Sequence, residues 1–133
     1  KYNTTYFSSD VVGMTLTSTI MLALAIKHFL ADYVFNPAWT VPVNKHIYGS
    51  RGSLEHIACH AIFCFLALVL FLPIQVVILA TLFDATIHYH QDYFKTKFLY
   101  KRKGLTDKVR RAITGFDQLV HIITYIIIVA WVT

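Results

Sequence analysis

Four long apolar runs divide the chain, at about Thr15 to Phe35, Ser53 to Phe71, Pro73 to Phe94 and Arg110 to Val132, with ends read to within ~2 to 4 residues. Each is long enough to cross, or nearly cross, a bilayer as a helix. The second and third runs are continuous in hydropathy, and read as one they would make a kinked helix of about 40 residues, too long for the membrane around it. Pro73 divides them: it removes a backbone donor and suits the first turn of a new helix, so LFLPIQ reads as a tight hairpin. The pattern predicts an all-α integral membrane bundle of four transmembrane helices in up-down topology, a single domain over residues 14–133. Residues 1–13, KYNTTYFSSDVVG, read as a polar lead without the basic-then-apolar order of a secretory signal, so the first run is expected to stay as an anchor. Met14 could be the natural start.

Composition sharpens the class. Of the 133 residues 56% are hydrophobic and only 14% charged, too few polar side chains to cover a soluble domain of this size. The charge is also uneven. Residues 36–52 hold Lys45 and Arg51 among Pro37, Trp39, Pro42 and Tyr48, a composition suited to the headgroup layer. Residues 95–111 hold Lys95, Lys97, Lys101, Arg102, Lys103, Lys108, Arg110 and Arg111, and the hairpin at Pro73 carries no basic residue. In an up-down bundle both basic loops share a side, which the positive-inside tendency makes cytoplasmic, with both termini outside the inner membrane. Orientation and anionic lipid account for these charges without nucleic acid as a partner. Ala23, Ala25 and Ala31 leave room for close approach by other membrane proteins or a second copy.

Each apolar run also carries ionisable residues four positions apart, which places them on one helical stripe: His28 and Asp32; His56 and His60; Asp84, His88 and Asp92; Asp117 and His121. Ionisable groups are costly at bilayer depth unless they face a bundle interior and find partners, so the four stripes should point at one another. Counting ~1.5 Å per residue from the cytoplasmic end puts His28, His60, His88 and Asp117 roughly 10 to 14 Å in. Asp32, His56 and Asp92 fall in a shallower layer at roughly 5 Å, Asp84 and His121 in a deeper one at roughly 18 Å.

Imidazoles and a carboxylate converging at one level suit a divalent metal, zinc foremost, with iron or manganese as alternatives. Facing helices build such centres in carboxylate-bridged bundles. The candidate ligands are His28, His56, His60, His88, Asp117 and His121; Asp32 and Asp92 are candidate general bases, with Asp84 and Gln118 behind the ligands. A lone histidine on an apolar face is more often a hydrogen-bonded core residue than a ligand, and it is the coincidence of four stripes that favours metal. Haem held by two histidines and a proton relay are the competing readings of the same residues. Cys59 and Cys64 point to different sides of their helix and read as structural thiols. His90 and His46 are assigned to the interface, Lys27 to a neighbouring helix or to water, and Gln91 to hydrogen bonding or packing.

The strings HFLADYVFNPAW, LEHIACHAI, IHYHQDYFK and GFDQLVHIITYI, in that order, resemble the domain-of-unknown-function 3307 family of small membrane proteins of bacteria and phages. The similarity runs from about Leu22 to Trp131, and HYH and TGFDQ look most like phage-encoded members. The resemblance implies a four-helix membrane protein and carries over the motif positions His28, Asp32, His56, His60, His88, Asp92, Lys95, Asp117, Gln118 and His121. It brings no activity with it. Serine or cysteine nucleophile constellations and phosphate-cradling glycine loops are missing from the sequence, so metal-dependent hydrolysis is the enzyme chemistry these residues could support. The alternative is a non-catalytic membrane subunit or phage and host effector with a structural polar core.

Overall fold

A computed structural model describes residues 4–36, 44–102 and 104–133. Among these residues the chain is all-α, without a strand: α1 (Thr4–Phe29) runs into a π-helical turn (Leu30–Val34), followed by α2 (Arg51–Leu68), α3 (Ile74–Lys101) and α4 (Asp107–Val132). The expected headgroup segment around Pro37, Trp39 and Pro42 lies outside the described residues.

Three helix ends differ from the apolar runs, for one reason: polarity ends a hydropathy run but does not end a helix. α1 begins at Thr4, inside the stretch expected as a lead, because nothing from Thr4 onward breaks a helix. α3 continues through Lys95 and Lys97 to Lys101, since lysine is a good helix former. The expected basic loop is thereby reduced to the short connection 102–106, closed by Thr106, whose hydroxyl caps α4 by accepting from the Val109 amide at 3.4 Å. Pro73 stands one place earlier than expected, as the N-cap of α3, and separates it from α2 as a distinct helix.

Consecutive helices are neighbours, and α1 also meets α4, so the four close into a ring around a common interior. Before α2 the chain turns at Gly49, whose φ of 74° lies in the left-handed region, while its amide donates to the Tyr89 hydroxyl on α3 at 2.7 Å. A Cβ added at Gly49 would meet no neighbouring atom, so the cost of Gly49→Ala is the backbone conformation alone. We expect a loss of about 1 kcal/mol, measurable by denaturant unfolding in detergent.

The interior has two parts. At the Pro73 end Ile20, Leu24, Leu68, Val77, Ile128 and Val129 form an apolar layer. Toward the other end the buried residues are Lys27, His28, His56, His60, Asp84, His88, Asp92, Asp117 and His121. The outer surface is the reverse, with Leu22, Ile26, Ile62, Leu66, Ile78, Leu82, Ile123 and Ile127 all exposed. Buried polar side chains outnumber buried apolar ones among the described residues, an inside-out arrangement for a protein in water. By length and composition one described helix, Asp107–Val132, is apolar enough to cross a membrane, which is weak support for membrane association. Hydropathy averaged along a helix sets its buried charged stripe against its apolar outer face, and α3, with Asp84, His88, Asp92 and Lys95 in one stretch, loses most by that averaging.

Candidate metal centre

The last turn of α1 carries His28, and the π-helical turn that follows carries Asp32. The Phe35 amide donates to the Leu30 carbonyl at 2.8 Å, a wider turn than α geometry allows, and Asp32 sits within it. Single π turns are frequent at functional sites because they reset the helix face. The opened turn is satisfied locally: the Asn36 side-chain amide donates to the Asp32 carbonyl at 2.9 Å, and the Cys59 thiol approaches the Phe35 carbonyl at 3.6 Å.

Asp32 is gripped by imidazoles. His28 Nε2 lies 3.0 Å from one carboxylate oxygen, while His60 Nε2 at 3.1 Å and His56 Nε2 at 3.3 Å share the other. From α3, His88 stacks beside His60 with ring centroids 3.8 Å apart, and His121 from α4 lies against His88 at 4.2 Å. Five histidines and one carboxylate thus form a continuous cluster. Two sets of potential ligand atoms lie within 4.8 Å of one another: Asp32, His56, His60 and His88, and a smaller set of His88, Asp92 and His121.

Imidazole and carboxylate are the donors that zinc and other borderline divalent ions take. Tetrahedral ligands at zinc distances stand about 3.4 Å apart, so closing the four-residue set needs roughly 0.8 Å of movement or less from each. Both ring nitrogens of His88 and the Nδ1 atoms of His56 and His60 are buried without a hydrogen-bond partner. An unpaired buried polar atom costs ~1 to 3 kcal/mol, a penalty that ligation would relieve. The residues present therefore fit a divalent cation.

His28 is differently employed. Its Nε2 faces two acceptors, Asp32 and the Gln118 side-chain oxygen at 3.1 Å, so it carries the proton, and Nδ1 accepts from the Tyr125 hydroxyl at 2.7 Å. Both nitrogens of His28 are thus engaged, with Asp32 and Gln118 on one and Tyr125 on the other. The Asp32 carboxylate lies among the groups that could hold an ion.

The remaining carboxylates have lysine partners. Lys95 Nζ bridges Asp92 at 2.8 Å and Asp117 at 2.6 Å, and Lys45 from the 44–50 connection pairs with the other Asp92 oxygen. Asp92 thus has an ammonium group on each oxygen. Asp117, an expected ligand, meets Lys95 through one oxygen, while its other oxygen is buried without a hydrogen-bond partner, 3.6 Å from His121 Nε2. Asp84 is paired with Lys27 where both are buried, so Lys27 turns inward across the ring to α3, not to either neighbouring helix or to water. His90 reaches the Tyr48 hydroxyl at 3.3 Å, His46 stacks on Tyr100 with centroids 4.0 Å apart, and Cys59 and Cys64 are free thiols. A cavity of about 10 Å³, room for about one water, is lined by Lys45, Ser53, His56, His88, Asp92 and Tyr93 among others.

Lys45 and Tyr125 were not among the expected site residues. Tyr125 was findable, four positions beyond His121 on the same stripe; Lys45 had no periodic signal, lying in a loop. The expected depth layers merge because an imidazole reaches about as far as the layers are spaced.

A family model described as "Protein of unknown function (DUF3307)" matches residues 20–133. The chain belongs to that family. No curated protein and no solved structure matches it. The part that matches DUF3307 contains all five clustered histidines, Asp32, and both Lys45 and Lys95, so the site belongs to the family region and not to the first turns of α1.

Proposed function

We propose that this DUF3307 protein is a multi-pass membrane protein whose four spans enclose a divalent metal centre, zinc foremost, near the cytoplasmic face. One observation carries the reading: three buried imidazoles with unpartnered nitrogens, His56, His60 and His88, meet the Asp32 carboxylate inside a helical ring. The apolar exterior around a polar interior supports embedding in lipid, where the charged stripes can only face inward. The basic residues on the last turns of α3 and first turns of α4 share an end with Lys45 and Arg51, which supports a cytoplasmic assignment for that end.

The competing cofactor readings fit less well. Imidazoles in ring contact at 3.8 and 4.2 Å leave no slot for a macrocycle between them. A transmembrane proton relay would have to pass the apolar layer of Ile20, Leu24, Leu68, Val77 and Ile128. A divalent ion held by this set would supply Lewis acidity and lower the pKa of bound water, which is the basis for hydrolysis as the candidate activity. The water-sized cavity beside His56 and His88 supports that chemistry, with Asp32 held in place by His28. The closed lysine pairs favour the other reading, a non-catalytic subunit, since half the polar interior is satisfied without metal.

Elemental analysis of the detergent-purified protein tests the centre. Stoichiometric zinc, iron or manganese is expected, and Asp32→Asn should weaken binding at least about 10-fold, since it removes the one anionic ligand of the set. Full-length folded protein free of transition metal after incubation with each ion would defeat the proposal. Hydrolysis of ester or phosphoester substrates, lost with the same substitution, separates the enzyme from the subunit.

A further inference from the structure

We propose that the ammonium groups of Lys45 and Lys95 take the place of a second cation, so that the bundle binds a single divalent ion at Asp32, His56, His60 and His88. Their removal would open a second ion's site at His88, Asp92 and His121. This inference rests on the metal centre proposed above and settles its nuclearity.

The pairing of charges is the basis. Asp32, Asp84, Asp92 and Asp117 are the carboxylates of the polar interior, and three of them have a lysine: Asp84 has Lys27, Asp92 has Lys45 and Lys95, and Asp117 has Lys95. Among the described residues Asp32 alone is met by imidazoles only, which leaves its negative charge without a permanent positive partner there. A cation is drawn there first. The second set is already neutralised. Lys95 Nζ joins Asp92 and Asp117 at 2.8 and 2.6 Å, much as a metal bridges two carboxylates in carboxylate-rich bundles, and Lys45 holds the oxygen of Asp92 that Lys95 leaves. A divalent ion entering beside His88 and His121 would have to displace an ammonium group from Asp92 against like-charge repulsion. His88 belongs to both sets, and since both its ring nitrogens lack a partner it can offer one to each ion, which leaves the lysines as the obstacle to the second.

The test loads purified protein with Zn²⁺, dialyses it, and counts bound zinc per chain. Wild type should hold one ion and Lys45→Met/Lys95→Met up to twofold more, while Lys97→Met, which removes a lysine that lies against Tyr93 outside the cluster, should match wild type. Two ions in wild type, a folded double variant that stays at one, or an equal rise in Lys97→Met would overturn the inference. Should the double variant fail to fold, Asp92→Asn decides: retention of the single ion supports the assignment, and its loss overturns it. Zinc-free wild type would instead sink the metal centre itself.

Discussion

Replacing His88 by alanine is expected to abolish stoichiometric metal binding while leaving the bundle folded. His88 is 1% exposed, stands between His60 and His121, and contributes to both candidate ligand sets. Losing a direct ligand should weaken metal binding by more than the 10- to 100-fold that loss of an outer partner typically causes. Stability should move much less. The cavity left by an imidazole is destabilising, but the substitution also removes two buried nitrogens without hydrogen bonds, each worth ~1 to 3 kcal/mol in the opposite sense when no metal is bound. Metal content and thermal unfolding should therefore separate: the first collapses, and the second shifts by no more than about 2 kcal/mol in the metal-free protein. Metal retained at wild-type affinity in His88→Ala would remove α3 from the centre.

The largest stability effect is expected at Lys27 and Asp84, which pair across the ring from α1 to α3 at 2% and 1% exposure. The Lys27 ammonium also lies 4.9 Å from the centroid of the Tyr125 ring. Lys27→Met strands a buried carboxylate and should cost ~3 to 5 kcal/mol; replacing both members, as in Lys27→Met/Asp84→Leu, should recover most of that loss. Unfolding by denaturant in mixed micelles measures both. A single substitution within about 0.5 kcal/mol of wild type would mean that water or another group reaches the pair.

Much of this architecture was legible in the sequence because helix existence follows from apolar length, and the inward stripe from four-residue spacing. His56 with His60, and Asp117 with His121, need no more than that to share a face. What the sequence withheld depended on groups acting across helices. Lysine choice decided the fates of Asp92 and Asp117, and nothing in the spacing of α3 or α4 says that Lys95 takes both carboxylates. Lys45 comes from a connection, where side-chain direction has no period to read. His28 and Asp32 share a stripe as expected, yet the other partners of His28, Gln118 and Tyr125, come from α4, which the spacing within α1 does not reveal. Helix ends were misread wherever charge was taken as a terminator, as at Lys95.

The π-helical turn of Leu30–Val34 has a consequence for how this chain can vary. A π turn holds one residue more than the α repeat requires, and that surplus fixes the angular offset between everything before Phe29 and everything after Phe35. Deleting one residue there would let the backbone relax into an ordinary helix, and Asp32 would then have to meet His28, His56 and His60 from a narrower turn. Length along this short stretch is thus constrained together with residue identity.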